Sequence, residues 1–229
     1  MNELSAKLNT WVEAETLKIL KDKKIPAIVG GDHSVPLGAF KAVAKVHGDF
    51  GVLHLDAHSD TRNAYEGFKY SHASIFFNAL NEVSQITKLV QFGIRDFCEE
   101  EINYCKMQEH RVTTYFDADL SERLHEGESW SKLAREIISH LPEKVWMSFD
   151  IDGLDPRFCP HTGTPVPGGV DFNQLVTLMK ILSESGRTII GFDLNEVSPG
   201  DTLLGEWDAN VGARLLFKMS SFTLKTQKL

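Results

Sequence analysis

The chain has 229 residues and a formal net charge of −8, and its 42% hydrophobic and 24% charged residues are typical of a globular protein. It contains no apolar run near the roughly 20 residues that a membrane-spanning helix needs. It also has no basic patch or arm for nucleic acid or an anionic membrane. We therefore expect one domain over residues 1–229, with neither nucleic acid nor membrane as a partner.

The N-terminal segment and the cysteines indicate where the protein works. Residues 4–20 carry apolar side chains at helical spacing, and the first 20 residues are too charged to resemble a signal peptide. Cys98, Cys105 and Cys159 are irregularly spaced, which favours unpaired thiols over a disulfide framework or a zinc finger. The sequence thus predicts an N-terminal helix and a cytoplasmic protein.

Predicted strands alternate with predicted helices along the rest of the chain. The strands are "IPAIVGG", "FGVLHLDAH", "KLVQFGIRD", "RVTTYFD", "KVWMSFDID" and "RTIIGFDLNEV". The helices are "PLGAFKAVAKVHG", "SWSKLAREIISHL", "DFNQLVTLMKILSESG", with Asp171 as its N-cap, and "WDANVGARLLFKM". Most strands are continuous apolar runs, which is typical of a parallel sheet covered on both faces. The pattern predicts an α/β fold with three α/β/α layers.

Four polar motifs follow predicted strands: "GGDHS", "DAHSD", "SFDIDGLDP" and "GFDLNEVSP". In open α/β sheets the carboxyl ends of the strands form the edge where ligands bind. A single aspartate after a strand is commonly a cap or turn residue, and a single histidine there is commonly a core residue. Six such residues converging on one edge favour a binding site instead. They are His33, Asp56, His58, Asp60, Asp150 and Asp152.

The charges of these residues predict what the site holds. Its four aspartates bring four negative charges into a region of low dielectric constant, where uncompensated charge is costly. Two divalent cations would balance them. Carboxylate and imidazole ligands without a thiolate favour manganese over zinc. Two metal ions bridged by carboxylates are a known arrangement for activating water.

Together with "TGTPVPGG", these motifs resemble the ureohydrolases, a family that includes arginase, agmatinase and formimidoylglutamase. The motifs occur in the family's order from residue 29 to about residue 200. The resemblance implies an arginase-like fold, two Mn²⁺ ions per chain and hydrolysis of a guanidino or formimino C–N bond. It implies that His33, Asp56, Asp60 and Asp150 bind one ion and that Asp56, His58, Asp150 and Asp152 bind the other. Asp56 and Asp150 would then bridge the two ions.

The resemblance also suggests roles in catalysis and substrate binding. Asp60 would orient the attacking water, and His72 in "YSHAS" would deliver a proton to the leaving amine, a role that suits the titration range of histidine. Glu196 would bind the guanidinium group. Thr164 belongs to the "TGTPVPGG" loop, which is expected to line the substrate side of the site. His72 could instead be a surface histidine, and Glu196 a partner of a basic side chain. His54 is expected in the core or behind the ligands.

The sequence differs from the family pattern at its beginning. Only 29 residues precede "GGDHS", so we expect the usual N-terminal strand region to be missing and a homo-oligomer to cover the exposed sheet edge. This difference leaves open a ligand-binding relative without catalysis. A deacetylase-like hydrolase with a single zinc ion is a further alternative, which the second aspartate pair and Glu196 oppose.

The substrate is expected to be a small guanidino compound, and Arg62 bears on its tail. The loop "SDTRNAYEGFKYSHAS" resembles agmatinase-like sequences, whereas arginine, a guanidino acid, guanidine and formiminoglutamate stay as alternatives. Arg62 keeps its charge, so in the pocket it would bind an acidic tail and repel the ammonium group of agmatine. Paired with Glu66 at the surface, it would leave agmatine acceptable.

Overall fold

The polypeptide folds into six β-strands surrounded by α-helices, in a computed structural model that describes residues 1–200 and 206–227. The strands are β1 (Ala27–Val29), β2 (Phe50–Leu55), β3 (Ile86–Ile94), β4 (Val112–Phe116), β5 (Lys144–Asp150) and β6 (Thr188–Asn195). The helices are α1 (Asn2–Lys21), α2 (Leu37–His47), α3 (Ile75–Glu82), α4 (Glu99–Met107), α5 (Asp117–His125), α6 (Trp130–Ser139), α7 (Phe172–Glu184) and α8 (Glu206–Lys225). Short 3₁₀ turns span His72–Ser74 and Ile151–Gly153.

The six strands form one sheet in the order β1-β6-β5-β2-β3-β4, and every neighbouring pair is parallel. The predicted parallel α/β sheet is therefore confirmed. From β2 the chain builds outward through β3 and β4, and it then returns to the other side of β2 with β5 and β6. The direction of winding thus reverses between β2 and β5, which is where open α/β sheets bind ligands.

Two apolar cores lie on opposite faces of the sheet, as the predicted three layers require. Side chains alternate between the two faces along each strand, so Val52 packs in the core that includes Phe40 of α2, and Leu53 in the core that includes Leu133 of α6. Residues of α1, α2 and α3 cover the first face, and residues of α5, α6, α7 and α8 cover the second. The helices hold the sheet from both sides and leave its carboxyl edge for polar residues.

The sequence pattern did not predict α3, α4 and α5. Helix α3 has only eight residues, which is too short to display a helical period clearly. Helices α4 and α5 each bury a single side chain, Glu101 and Leu120 respectively, so neither has an apolar stripe. The predicted N-cap of α7 is confirmed, because Asp171 accepts a hydrogen bond from the Asn173 backbone and Gln174 completes a capping box.

The sheet ends at β1 on one side. Val29 of this strand is 64% exposed, and β1 pairs with β6 alone among the described strands. Within residues 1–200 and 206–227, none of the helices is both long and apolar enough to cross a bilayer.

Candidate metal centre and active site

The polar motifs meet where β5 lies between β2 and β6. Leu55 pairs with Phe149, so Asp56 and Asp150 leave the sheet side by side. Asp150 in turn pairs with Asn195, the residue before Glu196. Because the strands are parallel, their carboxyl ends share one edge, and the strand register alone brings three of the motifs together.

Two groups of potential metal ligands lie at this edge. Within each group, one nitrogen or oxygen atom from every residue lies within 4.8 Å of the others. One group consists of His33, His54, Asp56 and Asp60, and the other of Asp56, His58 and Asp152. Asp56 belongs to both, which is the position that a ligand bridging two ions needs.

Asp150 lies beside these groups but belongs to neither. Its Oδ2 atom is 3.6 Å from Nδ1 of His33, and its Oδ1 atom accepts a hydrogen bond of 2.9 Å from the Asp152 backbone. The described geometry therefore places Asp150 next to His33 and leaves its predicted bridging role as a proposal.

The hydrogen bonds of His33 show which of its nitrogens is available to a metal ion. Ser148 Oγ donates to Asp193 Oδ2 at 2.8 Å, so its oxygen is free to accept from His33 Nε2, 2.9 Å away. With its proton on Nε2, the neutral ring offers the Nδ1 lone pair to an ion. Nδ1 lies 3.0 Å from Asp56 and 3.3 Å from Asp60, and without an ion it holds a second proton that it donates to these carboxylates. Histidines that bind metals typically donate their other ring N–H in this way.

The buried carboxylates shift one another's pKa values. Burial and the charge of Asp56 raise the pKa of Asp60 well above its usual range. Burial, Asp152 and Asp56 do the same for Asp150. In the described part of the chain, no lysine or arginine lies within 4 Å of the carboxylates of Asp56, Asp60, Asp150 and Asp152, whose ionic neighbours are histidines. The cluster is short of positive charge, and a divalent metal would supply it.

The histidines compensate part of that negative charge. Burial lowers the pKa of His33, but its hydrogen bonds to Asp56 and Asp60 outweigh burial and raise the pKa well above its usual range. Burial likewise opposes protonation of His58, yet Asp152 and Asp56 raise its pKa to about 11. The raised pKa values of His33 and His58 show that the surrounding aspartates favour positive charge at this position. The donor set, four carboxylates and two imidazoles with no thiolate, fits a pair of divalent cations.

A cavity opens beside the second donor group. It is lined by His58, Asp60, Arg62, Tyr65, His72, Ala73, Asp96, Glu101 and Thr164. His72 begins the 3₁₀ turn His72–Ser74 and is half-buried, with its ring centre 5.7 Å from that of Tyr65. Thr164 donates a hydrogen bond of 3.2 Å to Asp152. Besides the predicted metal ligand His58, this cavity is therefore lined by four other predicted site residues: Asp60, Arg62, His72 and Thr164.

Glu196 does not line the cavity. Its Oε1 atom accepts a hydrogen bond of 3.3 Å from the His33 backbone. Its backbone bonds to Gly31 and Thr162, and φ is +59°. Asp60 also has a positive φ, +55°. Such conformations cost non-glycine residues about 1–3 kcal/mol and cluster at functional sites. The structure holds Glu196 against the loop that carries His33.

Arg62 forms its ion pair with Glu101, so the alternative that it pairs with Glu66 is wrong. Its Nε atom is 3.5 Å from Glu101 Oε2. Glu66 lies in an exposed turn with a φ of +49°, and outside a helix the four-residue spacing does not bring two side chains together. Glu101 is buried and also accepts hydrogen bonds from the Thr61 and Cys98 backbones. The guanidinium is thereby held in the cavity wall.

Arg95 fastens two loops of the site to each other. Its guanidinium donates to the carbonyl oxygens of Asp152, at 2.6 Å, and Val166, at 3.0 Å, and also to those of Gly93 and Leu154. The first of these belongs to the predicted ligand loop, and Val166 follows Thr164 in the substrate-side loop. Arg95 therefore holds the loop of the predicted metal ligand Asp152 at a fixed distance from the loop that contains Thr164 of the cavity wall.

The comparison with known proteins decides the family. The family model described as "Arginase family" matches residues 2–221. The chain belongs to the arginase family.

Individual relatives agree with this assignment. The arginase-family chain is 33% identical over 91% of its length to a guanidinobutyrase of Pseudomonas aeruginosa and 38% identical over 79% to a proclavaminate amidinohydrolase of Streptomyces clavuligerus. It spans 63% and 56% of those proteins, less than two thirds of either. An agmatine ureohydrolase structure from Thermoplasma volcanium matches 96% of the chain and 70% of its own, with a TM-score of 0.79 and 29% identity. The predicted arginase-like fold is confirmed.

The structure adds residues to this arginase-family site that the sequence did not indicate. Ser148 lies two residues before the predicted ligand Asp150, so strand periodicity could have indicated it. His54, in contrast, lies where the sequence placed it, buried behind the predicted ligand Asp56. Glu101 and Arg95 reach the site from other elements, and they contact residues 40 and 57 positions away. Nothing in the local sequence indicates such contacts.

Proposed function

We propose that this chain is a ureohydrolase that cleaves a C–N bond of a small linear guanidino substrate, releasing urea and an amine. The observation that carries the proposal is Asp56, shared by two donor groups beside a cavity lined by acid and base residues. The proposed ligands are His33, Asp56, His58, Asp60, Asp150 and Asp152. Two manganese ions suit these carboxylate-rich donors, and when bound they would lower the pKa of water toward 7.

The chain's own residues position the reactants. The guanidinium is a delocalised cation with a weakly electrophilic carbon, so a carboxylate must hold it in place for attack. We assign that task to Glu196, whose carboxyl has its pKa raised by burial and by the charges of Asp152 and Asp56. A bound guanidinium would supply the positive charge that this carboxyl lacks. Asp60, whose conformation is fixed with a positive φ in the cavity wall, accepts a hydrogen bond from the attacking water.

His72 completes the reaction by transferring a proton. Water adds its oxygen to the guanidinium carbon, and the bond from that carbon to the substituted nitrogen then breaks. The departing nitrogen must gain a proton to leave as an amine. His72 lines the cavity and is partly open to solvent, so it can deliver that proton and recover another from water. Urea and the amine are the balanced products.

We propose an agmatinase-like substrate with a cationic tail. Arg62 is the cationic group of the cavity wall, apart from its histidines, and Glu101 offsets its charge. Asp96 lies in the same wall with its side chain 64% exposed. The tail region therefore carries excess negative charge, which attracts the ammonium group of agmatine. The structural likeness to an agmatine ureohydrolase supports this choice.

A guanidino acid is the second candidate, and Arg62 favours it. The side chain lies in the cavity wall and not at the surface beside Glu66. If it turned from Glu101 to a substrate carboxylate, it could bind that group with two hydrogen bonds. The guanidinobutyrase and the proclavaminate amidinohydrolase among the relatives support this alternative.

A kinetic panel on the manganese-loaded protein tests the proposed function. Urea or formamide release would be measured with agmatine, arginine, 4-guanidinobutyrate, guanidine and formiminoglutamate, with and without a chelator. We expect agmatine to react fastest, chelator to abolish activity and manganese to restore it best. A protein that holds two manganese ions but hydrolyses none of the five would be a binding relative without catalysis. Full activity with one zinc ion would support the deacetylase-like alternative.

We also propose that the protein is a homo-oligomer in the cytoplasm. Trp11 of α1 and Val29 of β1 are 61% and 64% exposed, and large exposed apolar side chains favour association. The three cysteines are unpaired, which suits a reducing compartment. Sedimentation velocity of the purified chain would test the assembly, and a monomer at micromolar concentration would contradict it.

A further inference from the structure

His54 lies against the proposed metal site, in a position that two different roles would explain. Its ring is fully buried, and its Nε2 atom is 2.9 Å from Asp56 Oδ2. It also belongs to the donor group that contains His33, Asp56 and Asp60. The imidazole could therefore be a third histidine ligand, or it could hold the shared carboxylate by a hydrogen bond. The two roles require different tautomers, because a ligand offers a lone pair and a donor offers a proton.

Gln91 determines which nitrogen of His54 carries the proton. The amide nitrogen of Gln91 lies 2.7 Å from the Ser59 carbonyl oxygen, which can only accept, and Thr114 donates to the amide oxygen at 3.0 Å. These two contacts fix the orientation of the amide. The same amide nitrogen lies 3.0 Å from His54 Nδ1 and directs its second hydrogen there. Nδ1 must therefore be the acceptor, and the ring proton resides on Nε2.

We infer that His54 is a positioning residue for Asp56 and not a metal ligand. Its Nε2–H donates to Asp56 Oδ2, while the His58 backbone donates to Asp56 Oδ1 at 2.6 Å. The two donors hold the carboxylate from both ends. His33 has the opposite arrangement, because its outer nitrogen donates to Ser148 and its inner nitrogen is therefore the one that can offer a lone pair to an ion. The inference rests on the proposed two-metal site.

A matched pair of variants separates positioning from ligation. The amide nitrogen of glutamine reaches about as far as the Nε2 atom of histidine, whereas the amide of asparagine reaches only as far as Nδ1. His54→Asn should therefore weaken manganese binding by about 10–100-fold, the usual effect of losing a residue that supports a metal ligand. His54→Gln should restore most of that affinity, because its amide can donate to Asp56. Equal losses in the two variants would overturn the inference.

The tautomer can also be read directly in the wild-type protein. The full chain, labelled with nitrogen-15 in histidine and loaded with cadmium-113, would be studied by long-range proton–nitrogen NMR. The His54 signals, assigned by their absence in His54→Gln, should show a protonated Nε2, an unprotonated Nδ1 and no coupling to cadmium. An unprotonated Nε2 coupled to cadmium would make His54 a ligand and overturn the inference. A wild-type chain that binds no ion would instead contradict the proposed function.

Discussion

Replacing Arg95 with methionine should destabilise the protein and loosen its metal site together. Methionine keeps an unbranched apolar stem but donates no hydrogen bond. The substitution leaves the carbonyl oxygens of Gly93, Asp152, Leu154 and Val166 without their guanidinium donor. Asp152 and Leu154 lie in the ligand loop after β5 and are largely buried, so water cannot easily replace the donor. Val166 lies in the substrate-side loop and is half-buried.

The size of the effect follows from the two carbonyls of the ligand loop. Hydrogen bonds that involve a charged group contribute about 1.5–3 kcal/mol each. Arg95 is only half-buried, so we take the lower value for two bonds, which gives a loss of about 3 kcal/mol in the free energy of unfolding. In a chain of this size each kcal/mol lowers the melting temperature by about 2–4 °C, so we expect a decrease of about 6–12 °C.

Urea denaturation and calorimetry would measure this loss, with manganese affinity as a second readout. Arg123→Met is the matched control, because Arg123 makes four hydrogen bonds to Glu128 and Glu136 at the protein surface. Surface ion pairs contribute little to stability, so the control should melt close to the wild type. We expect Arg95→Met alone to lose stability and to bind manganese about 10–100-fold more weakly. Equal stability of the two variants would refute the proposed clamp.

Three further predictions concern the reaction. His72→Ala should lower kcat by about 10²–10⁴ without changing the metal content, since only proton transfer is lost; an unchanged kcat would remove His72 from the mechanism. Glu196→Gln should raise KM and lower kcat together, because the guanidinium loses its counter-charge before and during reaction, and unchanged kinetics would exclude that role. If Arg62 binds the substrate's carboxylate, Arg62→Ala should reduce activity on 4-guanidinobutyrate about ten- to a hundredfold and spare agmatine; equal small effects on both would leave agmatine as the substrate.

The alternation of strands and helices allowed the architecture to be predicted, because it depends on local patterns. Continuous apolar runs such as "FGVLHL" indicated buried parallel strands, and "DAHSD" and "SFDID" indicated their carboxyl ends. The helices that were not predicted bury too few side chains to display a period. In α4, for example, Glu101 is the single buried residue, and a buried glutamate resembles a surface residue in sequence.

The fold brings the predicted metal ligands together, as the sequence indicated. The contacts that orient these ligands could not be predicted from the sequence. Strand spacing placed Asp56 and His58 near each other, whereas the role of His54 depends on Gln91 and Thr114, which come from β3 and β4. Arg62 illustrates the same limit. The partner four residues away was the natural choice from sequence, yet the chain folds so that a residue 39 positions further on forms the ion pair.

The number of manganese ions bound by the wild type and by Asp56→Ala is the most direct test of the proposed two-metal centre. Each protein would be dialysed to equilibrium against the same manganese buffer, and metal per chain would be measured by mass spectrometry. Because Asp56 belongs to both donor groups, we predict about two ions per wild-type chain and almost none in folded Asp56→Ala. A variant that still binds two ions tightly would contradict the shared-carboxylate centre on which the proposed function depends.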